Sequence, residues 1–281
     1  MKNRNVIITG GNAGIGFSTA VELAKMGANV SIVSREKQKA ENAVSEIKSK
    51  SANNNVNYFV ADMSSQTSVR NLAKAIKSKL PIIDVLINNA GGVFPEFKLN
   101  EDGLEMTIAT NHFAYFLLTN LLLENIKKSD YARIINVASD SHYKGKIDFD
   151  SFTERKNYFI MKAYEQSKLA NVLFTNELVK RLLQTHVTVN SLHPGFVKTA
   201  IGAKGTQWYA GLIWSLITNI GAISVEDGAK TSIYLASSDE VKGISGKYFD
   251  KCKQKTATAL AYDAKLQSDL WRISEQLCPI N

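Results

Sequence analysis

Tyr164 and Lys168 stand four residues apart at the head of an apolar-periodic run that reaches Leu183. In a helix, such residues lie one above the other on a single face, so the phenol and the ammonium address a common point. A unit positive charge ~4 Å from a forming tyrosinate, at an effective dielectric near ~20, contributes about 4 kcal/mol, or roughly three pKa units. A phenol that ordinarily titrates near ~10 then becomes a proton donor or acceptor around neutrality. Alone, the pair more often means a buried ring beside a solvated charge; its weight comes from the residues around it.

Ser139 follows a β-branched run over 133–138 and therefore emerges at the carboxyl end of a strand, where serine is commonly turn chemistry but here shares a rim with the glycine loop. Asn111 sits within an apolar helical pattern over 102–128, where asparagine is more often a local backbone partner than a chemical group.

The elements that must position these residues alternate. A strand over 5–9 runs through Gly10-Gly11-Asn12-Ala13-Gly14-Ile15-Gly16 into a helix over 17–26, the context that a phosphate-binding loop requires. Strands over 29–34, 56–61 and 84–87 follow, separated by helices over 36–50 and 65–80. The pattern predicts an α/β fold: a doubly wound parallel sheet of Rossmann type, in a single domain. In such sheets ligands lie at the carboxyl ends of the strands, which makes Asp62, Met63, Asn89, Ala90 and Gly91 candidate cofactor contacts. Asp62 would accept from an adenine amine, or alternatively cap the helix that begins near Ser65.

The second strand ends in Ser34-Arg35. A carboxylate there suits a ribose 2′-hydroxyl, whereas a fixed cation suits a 2′-phosphate, so the expected cofactor is NADP(H) rather than NAD. The bland alternative is a solvated charge at a helix start.

Composition narrows the class. The 281 residues carry 34 Lys and Arg against 26 Asp and Glu, a net +8, scattered except for Lys247, Lys251, Lys253 and Lys255. This reads as a soluble globular chain without a nucleic-acid surface. Cys252 and Cys278 lack metal-ligand spacing, so no metal site is expected, and reduced thiols fit a cytoplasmic address. No anchor precedes the first strand, and the longest apolar run, 208–217, is too short to span a bilayer.

With Thr9-Gly10-x-x-x-Gly14-x-Gly16, Asn88-Asn89-Ala90-Gly91, Asn111, Ser139, Tyr164-x-x-x-Lys168 and His193-Pro194-Gly195 in this order, the chain resembles the short-chain dehydrogenase/reductase family over residues 1–250. Asp102-Gly103-Leu104-Glu105, Asn111-His112-Phe113 and Ser167-Lys168-Leu169-Ala170-Asn171 liken it to the retinol dehydrogenase group. The resemblance implies hydride transfer between nicotinamide and a carbonyl or alcohol carbon. It casts Tyr164 as proton donor, Ser139 as oxygen holder, and Lys168 as the cation that acidifies Tyr164 and holds the ribose. Asn111 would position a water that links Lys168 to solvent. Pro194, Gly195, Val197 and Thr199 would lie against the nicotinamide. His193 reads as a buried, satisfied histidine.

The apolar stretch over 200–224 is expected to form a lid for a lipophilic small molecule and could rest on a membrane surface. A last helix over 257–277 packs either on its own core or on a second copy in a homo-oligomer. A binding protein that senses a nucleotide without chemistry is the competing class; it has no use for a tuned proton donor.

Overall fold

A computed structural model describes residues 1–154, 157–196 and 223–280. Its sheet is built from β1 (Asn5–Thr9), β2 (Asn29–Ser34), β3 (Val56–Val60), β4 (Val85–Asn88), β5 (Arg133–Val137), β6 (Thr188–His193), β7 (Tyr248–Asp250) and β8 (Lys253–Lys255). The spatial order is β3-β2-β1-β4-β5-β6-β7-β8, parallel up to β7, with β8 antiparallel at the edge. The order reverses between β1 and β4, so connections leave those two strands in opposite directions and open a crevice at their carboxyl ends.

Every residue of β4 and β5 is buried, as strands covered on both faces require. The two faces are legible in β1, where Val6 and Ile8 join one apolar cluster and Ile7 the other. Helices α1 (Gly14–Lys25) and α2 (Lys37–Ser51) cover the first face, contributing Leu23 and Ile47. The opposite face is covered by α3 (Gln66–Lys79), α5 (Ala114–Lys127) and α6 (Ile160–Arg181), through residues such as Leu72, Leu118 and Leu173. Val225–Ser237, here α7, returns to the first face through Leu235.

Four expectations about elements are corrected. The helix expected over 102–128 starts later and is not uniform: Glu105 caps its first three residues, α4 (Met106–Ile108), and a π-helical turn (Ala109–Phe113) leads directly into α5. The buried Glu105 carboxylate takes the backbone N–H groups of Thr107 and Ile108 at 2.8 and 3.0 Å, which sets that start. The helix bearing Tyr164 begins one turn earlier, at Ile160. The final helix, α8 (Ala264–Leu277), begins at the Asp263 cap rather than near 257. Residues 253–255 form the unforeseen edge strand β8, whose Lys253-Gln254-Lys255 sequence is fully polar and fully exposed. On α8, Leu270 and Trp271 join the core beside α6, so this helix packs on its own chain.

Among the described residues no helix is long and apolar enough to cross a membrane. The expected lid lies outside the described residues, save for Ile223 and Ser224 at its end.

Candidate active site

The glycine loop leaves β1 with Gly10 at φ +66° and Gly14 at φ +55°, both in the left-handed region that suits glycine. Ala13 precedes α1 and supplies no side-chain cap, so the first-turn N–H groups are left to an anionic ligand. A Cβ on Gly16 would stand 2.5 Å from both the Gly10 carbonyl oxygen and Asn89 Nδ2. This close-packed, uncapped cradle fits a dinucleotide pyrophosphate. Asn12 and Ile15 lie within the same loop, half-buried and buried respectively.

Thr9 ties the loop to the end of β4. Its hydroxyl oxygen accepts from the N–H groups of Asn89 and Ala90, each at 2.9 Å, while Asn89 Nδ2 donates to the Thr9 carbonyl at 2.8 Å. Across the crevice, the Asp62 carboxylate accepts from Ser64 N–H and Oγ at 2.9 and 2.7 Å, and Ser65 rather than Asp62 caps α3. Met63 is buried beside it. Arg35 stands exposed just past the carboxyl end of β2.

Ser139, Tyr164, Lys168, Gly91 and Asn111 converge. Ser139 leaves β5 extended, and its hydroxyl donates to Ser141 Oγ at 3.2 Å and acts electrostatically on the phenol of Tyr164. The buried Lys168 Nζ stands 5.5 Å from the Tyr164 ring centre and donates to the Val137 carbonyl at 3.0 Å. A Cβ on Gly91 would lie 3.1 Å from Asn111 Oδ1 and 3.7 Å from Lys168 Nζ. Only a glycine leaves that approach open.

Two expectations change here. Burial raises the Tyr164 phenol above its ordinary value, with the Ser139 hydroxyl opposing it, so the shift is opposite to the three-unit fall expected from Lys168 alone. Burial also lowers Lys168 to about 8, because an ammonium loses hydration that no facing carboxylate replaces. At neutrality the phenol therefore keeps its proton beside a charged lysine.

Asn111 is held by three hydrogen bonds. Its Nδ2 donates to the Gly92 carbonyl at 3.0 Å and Ser167 Oγ at 2.9 Å, and its Oδ1 accepts from Gly92 N–H at 2.8 Å. Both amide hydrogens are committed, so a water can find only the second Oδ1 lone pair or the backbone carbonyl. The side chain clamps the loop after Gly91 onto the Tyr164 helix.

His193 ends β6 with Nδ1 accepting from Asp140 N–H at 3.2 Å and Nε2 3.5 Å from Asp140 Oδ2, a satisfied ring as expected. Gly195 follows at φ +87°, and a Cβ there would meet Ile223 at 2.4 Å. Ile223 N–H donates to the Phe196 carbonyl at 2.8 Å. Pro194 and Gly195 thus reach the rim, whereas Val197 and Thr199 lie outside the described residues. Sequence reasoning missed His142, whose partners are backbone atoms, and Gly145. A Cβ on Gly145 would stand 2.6 Å from the Glu165 carbonyl oxygen and 2.8 Å from Leu169 Cβ. Gly145→Ala is therefore expected to push α6 outward and to cost about 1–3 kcal/mol. Thermal unfolding would register this as a melting point lower by roughly 2–4 °C per kcal/mol.

A family model described as short chain dehydrogenase matches residues 4–210. The chain belongs to the short-chain dehydrogenase family. It is 42% identical to "Retinol dehydrogenase 13" of Homo sapiens, over 98% of this chain and 84% of that one. It is 38% identical to "Polyprenol dehydrogenase" of Homo sapiens, over 96% of this chain and 83% of that one. A crystal structure of a protein from Mycobacterium Paratuberculosis superposes with a TM-score of 0.79 at 32% identity, covering 99% of this chain and 94% of that one. Retinol dehydrogenases recur among the relatives at 38–42% identity, and the chain falls with that group. Membership makes it an oxidoreductase that transfers hydride to or from a nicotinamide cofactor.

Proposed function

We propose that the chain is an NADP(H)-dependent alcohol dehydrogenase or carbonyl reductase acting on a lipophilic aldehyde, ketone or alcohol, with Ser139, Tyr164, Lys168 and Asn111 as its working residues. The observation that carries this is the convergence of Lys168 Nζ, 5.5 Å from the Tyr164 ring centre, with the Ser139 hydroxyl acting on the same phenol, at the rim where the glycine loop opens. Bound in the cradle, the nicotinamide supplies hydride to a carbonyl carbon or receives it from an alcohol.

The rest falls to the chain. In the reducing direction the Ser139 hydroxyl donates a hydrogen bond to the carbonyl oxygen, holding it beside the phenol. Tyr164 then passes its proton to that oxygen as the carbon is reduced. Lys168, charged below about 8, stabilises the resulting tyrosinate and is placed to hold the ribose hydroxyls. Asn111 fixes the loop from Gly91 against α6, keeping Lys168 Nζ in place. The relatives' printed names, retinol and polyprenol, support an isoprenoid-like substrate.

The cofactor preference rests on Arg35. Replacing Arg35 with serine is expected to raise the KM for NADPH by roughly 10–100-fold, the worth of one charged hydrogen bond, and to leave that for NADH nearly unchanged. Steady-state kinetics with both coenzymes read the ratio directly. The substrate class is tested by a panel of aldehydes, ketones and alcohols of increasing chain length, with NADPH, NADH and their oxidised forms. Turnover that rises with apolar length supports the reading, and no turnover on any member contradicts it.

A further inference from the structure

His142 is fully buried in the short 3-10 helix Asp140–Lys144 that follows Ser139. Its Nδ1 lies 2.7 Å from the Ser139 carbonyl oxygen, and its Nε2 lies 3.2 Å from the backbone nitrogen of Thr258. A carbonyl only accepts and an amide N–H only donates. The carbonyl contact demands a proton on Nδ1 and the amide contact a bare Nε2; together they fix a neutral ring with its proton on Nδ1.

The ring is boxed between Tyr143 and Tyr248, with centroids 4.0 and 4.6 Å away. Both tyrosines tie the box to other parts of the chain: Tyr143 donates to the Thr256 carbonyl at 2.5 Å and Tyr248 to Asp140 Oδ1 at 2.8 Å. The titratable groups facing this box are Asp140, His193 and Lys255, and burial keeps His142 below its ordinary value, hence uncharged at neutrality. The backbone that carries Ser139 is thus gripped by residues 256–258, which lie beyond the part of the chain that the family model matches.

We propose that His142 is a positioning residue that aims the Ser139 hydroxyl by holding the Ser139 carbonyl, and that the Thr258 N–H selects the tautomer that lets it do so. This rests on the role given to Ser139 above. It makes residues 256–258 part of the site's machinery although they touch no reacting atom. A disturbance of that segment would reach the Ser139 carbonyl through the imidazole.

The test separates the two ring nitrogens. His142→Asn keeps an amide near the Nδ1 position, whereas His142→Gln places one near Nε2 and leaves the Ser139 carbonyl with only the backbone N–H of residue 142, 3.0 Å away. Thr258 already has φ −56°, the value a proline ring imposes, so Thr258→Pro removes the N–H with the backbone angle kept.

His142→Asn is expected to hold kcat within about threefold, while His142→Gln and Thr258→Pro lose roughly tenfold, with the KM for NADPH unchanged in all three. Long-range nitrogen–proton NMR of the free protein should show the His142 proton on Nδ1, and a mixture of tautomers in Thr258→Pro. A proton on Nε2 or a charged ring at pH 7 overturns the proposal, as does a Gln variant that matches the Asn variant in kcat. Should the His142 variants not fold, Thr258→Pro and the NMR measurement decide it. A chain that turns over no carbonyl would defeat the functional reading, while the tautomer measurement would still judge the Thr258 contact.

Discussion

Tyr164→Phe is expected to lower turnover by about 10²–10⁴-fold while the chain still binds NADPH. The substitution removes only the phenolic oxygen from a ring that α6 already holds, so the transferable proton disappears and the fold is kept. Burial keeps that proton on the phenol at neutral pH, which makes Tyr164 a loaded donor in the reducing direction. Coenzyme affinity, followed by quenching of protein fluorescence, should change little because the glycine loop is untouched. Wild-type turnover in this variant would remove Tyr164 from the chemistry.

Lys168 carries the second large effect. At 5.5 Å from the ring, and at an effective dielectric near ~20, its charge is worth about 3 kcal/mol to a tyrosinate, roughly 100-fold in rate. Lys168→Met is expected to lose at least that factor. The pH dependence follows from the sign of the lysine shift. Its pKa is lowered by burial to about 8, so the ammonium is present below that value and lost as pH rises through it. Reductive kcat should therefore fall above pH 8. Lys168→Arg, whose charge persists, should be slower but lack this alkaline limb. A wild-type profile flat from pH 7 to 10 would contradict the role.

Much of this architecture was legible in the order of β-branched runs, glycine loop and helical periods. The parallel strands from β1 to β5 were foreseen, most plainly β4 and β5, because central strands buried on both faces read as continuous apolar runs. What escaped did so for physical reasons. β8 consists of Lys253, Gln254 and Lys255, an edge protected by charge, and has no apolar alternation to reveal it. The late start at α4 depends on Glu105, whose carboxylate reads as surface charge until it is seen buried and capping.

The site was legible by residue type but less so by electrostatics. Ser139, Tyr164, Lys168 and Asn111 do meet, yet pairing arguments from spacing alone overlooked desolvation, which dominates both the phenol and the ammonium. His142 was silent because its partners are the Ser139 carbonyl and the Thr258 N–H, and every residue carries such groups. Gly145 was silent likewise: its meaning lies in the Glu165 carbonyl opposite it.

The central claim is that this crevice moves hydride and does not merely sense a nucleotide. NADPH deuterated at the transferring face of C4, mixed with the chain and a long-chain aldehyde, addresses it most directly. The expected product is the alcohol with a single deuterium on the former carbonyl carbon and an equivalent of oxidised coenzyme. Bound coenzyme that stays reduced with both C4 faces tested, across aldehydes and ketones alike, would contradict the account.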